Sequence, residues 1–137
     1  MAAFLNVLNA DLPGKFPKLK FGFIEAGASW IPYALSQLDM RERARRLHDE
    51  QGGLASYKDL FVDNRLFITV DPVDDIEYLL KLGTEDNLII GTDYSHTDPS
   101  ANRAALSEVR EWADQGKITE AVATKILEHN PAEFYGF

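Results

Sequence analysis

A chain of 137 residues with 45% hydrophobic content can bury one core, and no shift in composition marks a second domain, so residues 1–137 are expected to form a single domain. Its 22 acidic against 14 basic side chains give a net charge of -8, which repels nucleic acid and anionic membrane surfaces. The absence of cysteine excludes disulfides and thiolate metal sites and leaves His, Asp and Glu as the ligands a metal could find.

The stretch from Met1 to Ala10 is apolar but lacks a basic leader and carries Asn6 and Asn9, so it reads as an amphipathic helix, not as a signal peptide or membrane span. Cytoplasmic residence is the resulting expectation. Leu12-Pro13-Gly14-Lys15-Phe16-Pro17 interrupts that helix and turns the chain into Lys20-Phe21-Gly22-Phe23-Ile24-Glu25, a short apolar run that predicts a buried strand. From Trp30 to Glu50 the spacing of Ile31, Leu35, Leu38 and Leu47 predicts a helix, with Pro32 in its first turn and Gly52-Gly53 at its end. A connecting piece around Tyr57 to Phe61 leads to Arg65-Leu66-Phe67-Ile68-Thr69-Val70, whose β-branched and aromatic residues predict a second strand. Asp71-Pro72 is expected to open a helix with Val73, Ile76, Leu79 and Leu80 on its apolar face, stopped by Gly83. Asn87 to Thr92 predicts the third strand. After the polar loop Asp93 to Pro99, helices are expected over Asn102 to Gln115 and Thr119 to Glu128, before a compact aromatic tail from Asn130 to Phe137.

Strands alternating with helices predict an α/β fold with parallel strands and right-handed crossovers. Three such strands leave two open sheet edges, so either a homo-oligomer or docking onto a complementary partner is expected. No Gly-rich phosphate loop follows any strand, which weakens a third option, an anion-binding doubly wound domain.

In parallel α/β structures side chains at the carboxyl ends of strands point into a crevice, and the candidate residues fall there. Asp93 directly follows the apolar third strand, where a carboxylate must be hydrated, paired or bound to a cation. It could ligate a metal and handle a proton, or simply form a cap or turn, and position alone does not separate the two. His96 could be a ligand, a general acid or a substrate contact, although one His and one Asp do not complete a metal site. Glu25 could serve as acid, base or substrate contact, or could lock its loop. Trp30 could line a substrate pocket or anchor the core. Asp71 reads as the helix cap, and Arg41 to Arg46 as a solvated face with Glu42, Arg46 and Glu50 at self-pairing i,i+4 spacing.

Three stretches together carry a resemblance. They are Phe16-Pro17-Lys18-Leu19-Lys20 through Phe23-Ile24-Glu25-Ala26-Gly27-Ala28-Ser29-Trp30-Ile31-Pro32 and Leu38-Asp39; Ile89-Ile90-Gly91-Thr92-Asp93-Tyr94-Ser95-His96-Thr97-Asp98; and Lys125-Ile126-Leu127-Glu128-His129-Asn130 through Phe134-Tyr135-Gly136. In order and spacing they resemble the amidohydrolase-related proteins, including the aminocarboxymuconate-semialdehyde decarboxylase-like enzymes, over nearly the whole chain. The resemblance implies the C-terminal portion of a (β/α)8 TIM-type barrel, with the three strands as its sixth to eighth. It also implies a divalent metal, zinc first and manganese second, used in hydrolysis or non-oxidative decarboxylation of a small carboxylated or cyclic substrate. Asp93 matches the family's last-strand aspartate, implying a metal-ligating and proton-handling role, and His96 matches the motif histidine in a supporting catalytic role. Glu25 stands where decarboxylase members commonly carry a histidine. The family's first-strand His-x-His or Glu-x-His pair and fifth-strand histidine have no counterpart, and His48 and His129 do not replace them. The expectation is therefore an incomplete metal site and an inactive isolated chain. The alternative is a non-catalytic partial-barrel module that self-associates or complements an N-terminal half.

Overall fold

The structure, a computed structural model, describes residues 1–46, 57–97 and 101–137. Helices α1 (Ala2–Asn9) and α2 (Leu12–Lys15) precede strand β1 (Phe21–Phe23) and helix α3 (Ile31–Arg46). Helix α4 (Tyr57–Asp63), strand β2 (Leu66–Val70), helix α5 (Ile76–Lys81) and strand β3 (Leu88–Ile90) follow. The chain ends in α6 (Ala105–Asp114), α7 (Glu120–Thr124), a π-turn (Lys125–His129) and α8 (Asn130–Tyr135). The three strands are parallel in the order β1-β2-β3, with Phe21 opposite Leu66 and Ile68 opposite Leu88. This is the α/β architecture expected from the alternation of strands and helices, and it is consistent with a portion of a barrel. No described helix is long and apolar enough to cross a membrane.

Alternation along the strands divides the sheet into two faces. Leu66, Ile68, Val70 and Leu88 join Phe4, Ile31, Leu35, Phe61, Leu79, Val109 and Ile126 in the main core, on the side of the helices. Phe4 lies at the centre of an aromatic group, with ring centroids 5.3 Å from Phe23, 5.1 Å from Trp30 and 6.0 Å from Phe61. On the other face Phe67 and Ile89 are buried. Phe67 packs 5.3 Å from the Phe134 ring, which the C-terminal segment lays across the sheet. Glycine at position 22 makes room for that ring, since a Cβ there would stand 2.3 Å from Phe134 Cζ. Lys20 Nζ donates to Glu133 O, and the buried Asn130 Nδ2 donates to Glu85 O at 2.9 Å and Leu88 O at 2.7 Å. The same segment thereby fastens to the start of β3.

Five expectations need correction. The first strand is not buried, since Phe21 and Phe23 are half-buried and Gly22 is exposed. The piece around Tyr57 to Phe61 is not a connector but the start of α4, because Leu60 and Phe61 turn inward to the core. Asp71-Pro72 opens a turn and not a helix. Asp75 is the cap, accepting from Tyr78 N at 3.0 Å, and Val73 is 89% exposed and off the apolar face. Asn102 likewise lies outside α6, which begins at Ala105. Finally, the helix capped by Thr119 does not stop at Glu128 but runs through the π-turn into α8. The proline ring of residue 131 would collide with a carbonyl four residues back in a regular helix, and the wider turn, with Asn130 N donating to Lys125 O, relieves that collision. The helix stop at Gly52-Gly53, Leu47, His48, the pairing of Glu42, Arg46 and Glu50, and the loop end at Asp98-Pro99 lie outside the described residues or side chains.

Lys125 braces the π-turn against the loop before β3, with Nζ at 2.7 Å from Glu85 Oε1 and 2.6 Å from Asp86 Oδ1. The Lys125 ammonium holds the Asp86 carboxyl below its ordinary 3.8, and Asp86 with Glu85 raises Lys125 above its ordinary 10.5. A depressed carboxyl contributes stability above its unfolded value and loses it as the pH falls through the folded one. A raised ammonium contributes below its unfolded value and loses its contribution as the pH rises through the folded one. Lys125→Met should therefore cost about 0.5–1 kcal/mol at neutral pH, a modest amount because the pair is partly solvated. In urea melts at a series of pH values, the gap between wild type and variant should close below about pH 4.

Candidate metal centre

The carboxyl ends of the three strands open into one cleft of about 290 Å³. Glu25 and Gly27 reach it from the end of β1, Thr69 and Asp71 from β2, and Gly91, Asp93 and His96 from β3. Parallel strands in register bring these segments together although they are far apart in sequence.

Asp93 leaves β3 in the left-handed region, at φ 46, which Asp tolerates better than most residues. Its side chain is only 12% exposed, and Oδ1 accepts from His96 Nδ1 at 2.6 Å across a single turn. The turn is closed by His96 N donating to Asp93 O at 3.3 Å, and Asn102 N returns the loop to Thr92 O at 3.0 Å. Glu25 also adopts positive φ, at 59, with its N–H donating to Thr69 Oγ1 at 2.9 Å. Thr69 Oγ1 in turn donates to Phe23 O at 3.3 Å. Gly91 keeps β3 close to this threonine, since a Cβ there would meet Thr69 Cβ and Cγ2 at 3.2 Å.

Three side chains converge. One ligating atom from each of Glu25, Asp93 and His96 lies within 4.8 Å of the others. Two carboxylates and an imidazole concentrate negative charge and lone pairs in one corner of the cleft, an arrangement that attracts a cation. Asp71 adds a third carboxylate to the lining, which holds no Lys or Arg among the described residues.

Trp30 is placed elsewhere. Its Nε1–H donates to Gly27 O at 2.8 Å, and its ring meets Phe4 and Phe23 edge-on, so its body packs against the core and outside the cleft lining. Asp71, read from sequence as a helix cap, instead closes the turn after β2 by accepting from Val73 N at 3.0 Å. The carboxylate that sequence reasoning passed over is Asp74. It is buried, and it accepts from Ala28 N at 2.8 Å, Ser29 N at 2.9 Å, Ser29 Oγ and Asp71 N at 2.8 Å. The only signal for it was a carboxylate shortly after a strand, which Asp71 and Asp75 share.

Fold and site together define an α/β protein with a carboxylate and imidazole cluster at the carboxyl ends of a parallel sheet. The Amidohydrolase family model matches residues 1–137, and the chain belongs to that family. Membership places it, at the level of the family, among metal-dependent hydrolase-like enzymes. No match was found among curated proteins or among solved structures.

Proposed function

We propose that Glu25, Asp93 and His96 hold a divalent metal ion and that the chain supplies this part of the active site of a metal-dependent hydrolase. The observation that carries the reading is the approach of the three ligating atoms to within 4.8 Å at the strand ends. The donor set suits the group: two carboxylates and an imidazole fit zinc or manganese, and three protein ligands leave room for water and substrate. His96 is largely exposed, with 60% of its side chain accessible, so it can turn to share an ion with the other two. A divalent ion bound there lowers the pKa of its water and polarises a carbonyl. The Asp93 carboxylate orients the imidazole through Nδ1, so that in the neutral ring the other nitrogen carries the lone pair that can take a metal or a proton.

The lining favours hydrolysis of a neutral carbonyl compound over decarboxylation. Among the described lining residues Glu25, Asp71 and Asp93 set three carboxylates against the single imidazole of His96, so a divalent ion there would be largely neutralised and would leave little positive charge for a substrate carboxylate. Titration of the purified chain with Mn²⁺ or Zn²⁺ tests the metal reading. One weakly bound ion per chain is expected, and failure to bind either ion overturns it. Esters, amides and lactones, with a parallel assay for CO₂ release from carboxylated substrates, test the reaction class once the chain is combined with the remainder of a barrel. The isolated chain is expected to show no turnover, so tight binding with turnover would make it a complete enzyme by itself.

A second reading rests on the sheet. Among the described residues β1 and β3 each have one strand neighbour, and although Asn130 takes Leu88 O of β3, the remaining outer-edge backbone groups could pair with another chain. Self-association, or docking onto the remainder of a barrel, would satisfy those groups. A monomer in sedimentation experiments that binds no partner would sink this alternative.

A further inference from the structure

The loop that carries Glu25 has little to hold it in place on its own account. Ile24, Glu25 and Ala26 are all exposed, and both Glu25 and Gly27 sit at positive φ, 59 and 57. For a glutamate that conformation is strained, so it persists only where the surroundings impose it. Two side chains at the end of β2 do so. Thr69 takes the Glu25 N–H, and Asp74 takes the main chain three and four residues further on, at Ala28 and Ser29. We infer that Asp74 is the positioning residue that keeps Glu25 within ligating distance of Asp93 and His96.

The hydrogen bonds of Asp74 show why it acts through others. Oδ1 accepts from Ser29 N and Ser29 Oγ, and Oδ2 from Ala28 N and Asp71 N. Each oxygen already has two donors, which is its ordinary capacity, so the carboxylate has no lone pair left for an ion. Three of the four donors are main-chain amides. They come from the loop after β1 and the turn after β2, so one buried side chain fixes the two exits relative to each other. Neutral Asn has the wrong polarity for this role. Its oxygen can serve one pair of donors, and its NH₂ must then face the other pair.

This role rests on the metal reading of the cleft, and Mn²⁺ titration of the full chain separates the two. Wild type should bind, and Asp74→Asn should bind about tenfold or more weakly, the scale on which partners of metal ligands act. Circular dichroism at the assay temperature should show both to be folded. Asn130→Ala, which loosens the opposite end of β3, should lower the melting temperature and leave Mn²⁺ affinity within about twofold, because distant and independent sites act separately. Thr69→Val removes the other anchor of the loop without touching a buried carboxylate. It should weaken binding as well, and it carries the test if Asp74→Asn does not fold. Unchanged affinity in Asp74→Asn, or in Thr69→Val where that variant stands in for it, overturns the positioning role alone. An equal loss in Asn130→Ala overturns it too, by showing that general destabilisation suffices. A wild-type chain that binds no Mn²⁺ overturns the metal reading and this role with it.

Discussion

Asp93→Asn should weaken Mn²⁺ binding by at least about 100-fold, the upper end of what even indirect partners of a metal contribute, in a protein that melts no earlier than wild type. The substitution preserves what a turn former needs. Asn keeps the shape of Asp, adopts the left-handed conformation at φ 46 as readily, and can still accept from His96 Nδ1. It removes only the charge. Without an ion, Glu25 and Asp93 repel each other, and relief of that repulsion offsets the weaker hydrogen bond to His96, so stability should be unchanged. A turn former and a metal ligand, which position in the sequence leaves equivalent, thus predict opposite results in calorimetric titration. Asp93→Asn binding Mn²⁺ as wild type does would reduce Asp93 to a turn residue.

Asn130→Ala should cost about 2–6 kcal/mol in urea unfolding, since it leaves two acceptors without their donors at roughly 1–3 kcal/mol each. Asn130 is 5% exposed, and both protons of its amide are used, on Glu85 O and Leu88 O. Water cannot readily replace it at Leu88, which is fully buried. The loss extends beyond those bonds, because Asn130 begins the helix that places Phe134 over Phe67. An unfolding free energy within about 0.5 kcal/mol of wild type, the range of ordinary surface changes, would show that the anchor is dispensable.

Much of the site was legible because its chemistry lies next to its strands. Asp93 follows an unbroken apolar run, and Glu25 and His96 lie within three residues of a strand or of Asp93, so the rule of carboxyl ends reaches all of them. Asp74 was not legible. Asp71, Asp74 and Asp75 follow the same strand, and the choice among them depends on which one meets amides 45 and 46 positions earlier. Trp30 shows the reverse limit. Its place beside a strand end fits a pocket wall or a core anchor equally, and only contacts with Phe4 and Phe23 decide where the ring goes. Among the helices, α4 is too short for periodicity to register, with Leu60 and Phe61 turned inward among its described side chains. Pro131 reads as a helix breaker unless the π-turn before it is foreseen, and that depends on packing against β3.

The placement of Phe134 over the sheet has a consequence for synthesis. The aromatic cover of Phe67 is encoded well downstream of the strand it covers. At about 5–20 residues per second the strands leave the ribosome some seconds before their cover does. During that interval one apolar face of the nascent sheet is bare, and a chaperone that holds extended apolar segments has its best opportunity to bind there. Ribosomes halted before codon 130 should therefore retain such a chaperone on the nascent chain, and ribosomes that have released the full sequence should not.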